Sequence, residues 1–182
     1  MSSQPEPVPP NATRANQITS PLRELAAFVL LAANALLLFV GLMQLAVPYS
    51  TGDSFAGRAD EAFLNVVGLA AVALPVLAVL LATHIHPPVR RAKLITLIAL
   101  AEYAVSAVLA IVAFLGWLVG GLGDAAFRGA FTGLLTRVAY LAIFAIAAFV
   151  VFKVWRALYY RPRRVARTGA APGQPGIYGQ PA

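Results

Sequence analysis

The stretch "LIALAEYAVSAVLAIVAF" (97–114) carries one charged residue, Glu102, in a run otherwise apolar apart from Tyr103 and Ser106. Extended over 94–119, it meets no other charge and no proline. About 20 apolar helical residues are enough to cross the hydrocarbon core of a bilayer. The stretch therefore reads as a membrane-spanning helix, and Glu102 as the most costly residue in it. An ionisable group near mid-bilayer costs about 2.5–3.5 kcal/mol on insertion scales. Such a residue is expected to face other helices and not the lipid.

Working outward, three more runs have the same character. Span 1 covers about 24–47, opened by Ser20 as N-cap, Pro21 in the first helical position and Glu24 in the first turn. Span 2 covers about 62–83, span 3 about 94–119 and span 4 about 126–153. The first apolar run is too long for the 7–15-residue core of a signal peptide and reads as an uncleaved span. The polar stretch 48–61 and "HIHPPVRRAK" (84–93) read as loops, and Asp124 in "GGLGD" as a helix cap. Residues 1–20 and the C-terminal "TGAAPGQPGIYGQPA" are rich in Pro, Gly and polar residues and read as disordered tails. The expected fold is all-α: an integral membrane four-helix bundle over residues 21–160, between a 1–20 tail and a basic, then disordered, 161–182 tail.

Composition agrees. Of 182 residues 60% are hydrophobic and 12% charged, about half the charged share of a soluble domain. The formal charge of +7 raises nucleic acid as a partner, but the basic residues lie beside the spans and argue for lipid. Eleven of the 14 Lys and Arg fall on one face of an even-span layout: Arg14, Arg23, Arg90, Arg91, Lys93, Lys153, Arg156, Arg161, Arg163, Arg164 and Arg167. The other face receives Arg58, Arg128 and Arg137, offset by Asp53, Asp60, Glu61 and Asp124. Lys/Arg bias in short flanks orients membrane proteins. Both termini are therefore expected in the cytoplasm of a cell whose inner membrane holds the protein. Trp155, Tyr159 and Tyr160 would sit at the cytoplasmic interface, Tyr49 and Trp117 at the outer one. The arginines of "KVWRALYYRPRRVARTGA" (153–170), namely Arg156, Arg161, Arg163, Arg164 and Arg167, would contact anionic lipid headgroups or an acidic partner.

Depths counted at 1.5 Å per residue from the basic flanks bring several polar groups to one level. Glu102 lies about 14 Å deep, Asn34 of span 1 about 17 Å and Pro75 of span 2 about 14 Å. Ser106 is one turn beyond Glu102, and Pro75 frees the Ala71 carbonyl. Arg137 of span 4 lies about 24 Å deep and would have to reach inward by about 10 Å to join them. Such a cluster bonds spans together, forms a midplane site for a proton or ligand, or leaves Glu102 unpartnered within the bundle and facing another subunit.

The remaining motifs carry little chemistry. With no cysteine, disulfides and thiolate metal sites are excluded. His84 and His86 with no third ligand make at most part of a metal site, so neither metal nor cofactor is expected. Gly116/Gly120 and Gly129/Gly133 are GxxxG pairs, suited to close helix packing within the bundle. No zinc-protease, serine-hydrolase or phosphate-loop signature occurs, and no catalytic residue is assigned.

The four-span plan with an "APGQPGIYGQPA" tail (171–182) resembles small bacterial membrane proteins of actinobacterial type; the bias to Arg over Lys and to Ala and Val fits a high-GC genome. The in/in layout across 21–160 is similar to the MARVEL tetraspan arrangement by topology, which carries over no functional residue. The expected role is a non-enzymatic accessory or scaffold of the cytoplasmic membrane, partnered by lipid and by a membrane protein or a second copy. The alternative is a small oligomeric transporter or channel subunit with Glu102 as a proton- or cation-responsive group.

Overall fold

A computed structural model of the chain describes residues 10–85, 88–124 and 127–160. They form five helices: α1 (Pro10–Ala46), α2 (Phe55–Val67), α3 (Leu69–Thr83), α4 (Ala92–Asp124) and α5 (Phe127–Tyr159). Four segments are long and apolar enough to cross a membrane: Pro21–Ala46, Phe55–Thr83, Ala92–Gly120 and Arg128–Tyr159. The fold is all-helical, with no strand among the described residues. At 33 residues each, α4 and α5 run about 50 Å and overshoot a hydrocarbon core of about 30 Å. Residues 127–137 thus belong to the same continuous helix as span 4.

Several boundaries differ from the sequence reading: α4 runs through Asp124, so GGLGD, read as a turn with Asp124 as a cap, is the end of that helix, and α5 continues past 153 to Tyr159. Two further differences bear on the site. α1 starts at Pro10 and carries Pro21 inside it, so residues 10–20, read as disordered tail, are helical. Pro21 removes one backbone donor, and no Gly or other Pro lies between residues 11 and 20 to end the helix. The rest of the tail reading (1–9 and 161–182) lies outside the described residues.

The second difference is larger. Span 2 starts at Phe55, not near residue 62, and it is two helices. Ser54 caps α2, its Oγ accepting from the Gly57 N–H at 3.1 Å. The helical stripe Ala59, Ala62, Phe63, Val66 and Val67 is buried, while Arg58, Asp60 and Glu61 occupy the other positions that made the stretch look like loop. The break falls at Gly68, φ −64° and ψ 168°. A Cβ there would run into the Leu64 carbonyl oxygen, so only glycine lets the chain pass this close to the end of α2. The Gly68 N–H still donates to Leu64 O at 2.8 Å, and Val72 N–H donates to Gly68 O at 3.0 Å.

The bundle runs up, down, up, down. Arg23, Ile85 and Arg91 meet at one end, called the basic end; Phe55, Asp60, Gly120 and Arg137 meet toward the other, acidic end. α1 presents a seven-residue repeat: Ala27, Asn34 and Gly41 alternate with Leu31, Leu38 and Leu45, all buried. A seam of this period is coiled-coil packing. α4 answers with Ile95, Ala99, Glu102, Ser106, Ala110 and Ala113. α5 packs on α4 and α3 and touches α2, but makes no contact with α1 among the described residues. Its buried residues, Arg137, Phe144 and Val151, again fall seven apart.

The loop between α1 and α2 is held by Asp53. Its carboxylate accepts the Tyr49 N–H at 2.7 Å and the Ser50 N–H at 2.9 Å. The bond from the Ser50 amide, then that from Tyr49, holds the Asp53 pKa below its ordinary 3.8. A lowered carboxylate pKa means the contribution is fully present above about 3.8 and is lost as pH falls through the lower folded value. Slow exchange of the Tyr49 and Ser50 amides is therefore expected at neutral pH in wild type. In Asp53→Asn, hydrogen exchange at those two amides should speed up while amides in α4 stay unchanged.

Candidate functional site

The polar cluster around Glu102 is assembled by two seams facing each other. Asn34, completely buried on α1, donates from Nδ2 to Glu102 Oε2 on α4 at 2.9 Å. Glu102 is 8% exposed and Ser106, one turn further along the same face, is completely buried. Two polar atoms here have no partner among the described residues: Asn34 Oδ1 and Ser106 Oγ. Ser106 and Glu102 are thus not in nucleophile-to-base contact, and the pair lacks the hydrogen bond that would activate a hydroxyl.

Pro75 is buried in α3. One turn before it, the Val72 carbonyl accepts the Tyr103 hydroxyl at 2.6 Å. Tyr103 also packs edge-on against Phe144 of α5, ring centroids 5.4 Å apart. Neighbours in sequence, Glu102 and Tyr103 therefore tie α4 to α1, α3 and α5. Three interhelical contacts meet within one turn of one helix.

Arg137 is not in this cluster. It turns toward the acidic end, where its Nη2 donates to Asp60 Oδ1 of α2. Its Nη1 donates to Gly133 O at 3.3 Å. The guanidinium carbon lies 3.8 Å from the centroid of the Trp117 ring and 5.4 Å from that of Phe63. Cation–π contact of this kind strengthens once water is excluded, and Arg137 is only 8% exposed. The inward reach across about 10 Å is replaced by a shorter outward one, made available by the extension of α2 through Asp60.

Sequence reasoning also missed a second polar clasp, Asn65 Nδ2 donating to Gln44 Oε1 at 2.7 Å between α2 and α1. Its signal was present: each is a polar residue inside an apolar run, both near the acidic end. Of the glycine pairs, Gly116 and Gly120 seat α2. Added Cβ atoms would strike the Phe55 ring and Ala56 Cβ respectively. Gly133 backs onto Trp117, at 3.0 Å from a built Cβ, while Gly129 has open space around it.

At the acidic end two cavities open between the helices. One of about 820 Å³ is lined by residues that include Gln44, Tyr49, Asp53, Arg58 and Glu61. Another of about 600 Å³ lies beside Asp60, Trp117, Gly133 and Arg137. At the basic end Arg23 Nη2 donates to Ile85 O at 3.0 Å, and Arg91 pairs with Glu24 at 3.6 Å. Arg156 is exposed on the last turn of α5. Arg161, Arg163, Arg164 and Arg167 lie outside the described residues, as does His86; His84 sits 3.0 Å from the Thr83 hydroxyl. Among the described residues no three His, Cys, Asp or Glu side chains gather as a metal site. No protein-family model, curated protein or solved structure matches this chain.

Proposed function

We propose that the protein is a non-enzymatic accessory or scaffold of the cytoplasmic membrane of a bacterium, with both termini on the cytoplasmic side. It acts through helix packing in the bilayer and through its terminal segments. The observation that carries this reading is the Asn34–Glu102 bond. The one carboxyl group deep in the spans is engaged by the bundle's own seam. A polar residue at a seam position fixes register and helix pairing at some cost in stability. The cavities at the two ends are lined by other residues.

The orientation rests on the Lys/Arg bias, and the basic flank after α5 supports anchoring at anionic headgroups. Residues 171–182 supply Ile177 and Tyr178 as bulky side chains for a soluble partner. Deleting 171–182 is expected to leave membrane insertion intact while lowering recovery of that partner severalfold. Tagged full-length and truncated chains, gently extracted and analysed by mass spectrometry, make the comparison. Equal recovery of the same proteins from both would remove the tail from the proposal. Recovery of a lone homo-oligomer would remove the accessory role.

A second reading, a small oligomeric transporter or channel subunit, draws on the unpartnered Asn34 Oδ1 and Ser106 Oγ beside Glu102. Both are acceptors that a water or cation would use, one on each side of the α1–α4 contact that holds the carboxyl group.

A further inference from the structure

At the basic end, the first two turns of span 1 and the two arginines before α4 border an open groove of about 640 Å³. Its walls are Pro21, Glu24, Leu25, Phe28, Arg90 and Arg91. These residues divide by chemistry and by height. Pro21, Leu25 and Phe28 belong to a segment apolar enough to lie in hydrocarbon; Arg90 and Arg91 stand just ahead of the third such segment, which starts at Ala92.

We infer that this groove is a seat for an anionic phospholipid, its acyl chain along Leu25 and Phe28 and its phosphate against Arg90 and Arg91. It rests on the lipid partnership proposed above and assigns that partnership a place. The charge balance selects the lipid class. Glu24 offsets Arg91, to which it lies 3.6 Å away, whereas Arg90 is exposed and makes no hydrogen bond or ion pair among the described residues. One guanidinium is thus left over for a ligand. Leu25 is 61% exposed, an apolar surface at the level where a chain would leave its headgroup. A soluble anion would use the arginines and leave this surface unused; a peptide would not need it at the membrane boundary. A phospholipid uses both.

The test is native mass spectrometry of the full-length protein in detergent, titrated with phosphatidylglycerol, phosphatidylcholine or glycerol phosphate. Phosphatidylglycerol should bind at one site, with phosphatidylcholine about tenfold weaker. Glycerol phosphate should fail to compete. Each basic residue near a headgroup is worth a factor of about five, so Arg90→Ala, which removes no hydrogen bond or ion pair among the described residues, should weaken phosphatidylglycerol about fivefold. The Arg90→Ala/Arg91→Ala pair should weaken it by more than tenfold. Arg128→Ala, at the acidic end, should leave it unchanged. Equal binding of the two lipids, competition by glycerol phosphate, or an equal loss in Arg128→Ala would overturn the assignment. Copurification of a membrane partner with the Arg90→Ala/Arg91→Ala variant separates the outcomes. If it persists, the accessory role stands whatever the lipid result.

Discussion

Gly68→Ala is expected to destabilise the bundle by about 1–3 kcal/mol, read as a lower denaturant midpoint in mild detergent. The added Cβ meets a backbone carbonyl, that of Leu64, and a carbonyl fixed in a helix cannot swing away as a side-chain end can. The chain has two ways out, and both are costly. It can push α2 and α3 apart at the break, or continue the helix through residue 68 and straighten span 2. Either movement shifts α2 on α4, where Ala56 packs directly on Gly120. Gly129→Ala, with open space around it, should be neutral or slightly stabilising as the helix loses a glycine. If Gly68→Ala and Gly129→Ala behave alike, the break in span 2 is not a structural requirement.

Asp60→Ala should cost about as much, for a different reason. It leaves the Arg137 guanidinium buried between Trp117 and Phe63 without its counter-charge. Orphaning a fully buried charge costs about 3–5 kcal/mol. Here the Asp60 side chain is 61% exposed, so solvent screens the pair and the expected loss drops to about 1–3 kcal/mol. The sign of a double change is the sharper test. Arg137→Met removes the charge and keeps an unbranched chain against both rings, so Asp60→Ala/Arg137→Met should be more stable than Asp60→Ala alone. Tryptophan emission in a Trp155→Phe background would follow the Trp117 environment through the series. A double variant less stable than either single one would mean that the ion pair does not link α2 to α5.

How much of this was legible can be argued from these same residues. Depth counting put Asn34 and Glu102 at similar heights, because α1 and α4 are uninterrupted there and each residue advances both by the same rise; that the two side chains face each other and bond comes from the structure. The α1 seam of Ala27, Leu31, Asn34, Leu38, Gly41 and Leu45 was not read from the sequence, because apolar residues fill almost every position of that run and no polar face marks the buried one. Gly68 was not legible as a break. In an apolar run a glycine reads equally as a packing notch, and only the position of the Leu64 carbonyl tells the two apart. The direction of Arg137 was lost for a linked reason. With 48–61 taken as loop, Asp60 had no fixed height, although Phe55, Ala59, Ala62, Phe63 and Val66 already fit a helical stripe. One misplaced helix start hid both the extended α2 and its ion pair.

The clasp between Asn34 and Glu102 can be separated from a transport role by one substitution. Glutamine at 102 keeps an oxygen that accepts from Asn34 Nδ2 and removes the ability to carry charge or exchange a proton. Proton and potassium flux should be measured in liposomes holding wild type or Glu102→Gln, with each variant's unfolding free energy taken alongside. A structural clasp predicts no flux above protein-free liposomes for either, and unfolding free energies that differ by less than the ~0.6–2 kcal/mol of an interhelical hydrogen bond. Flux in wild type that Glu102→Gln abolishes, at unchanged stability, would contradict it and make Glu102 the working group of a transporter.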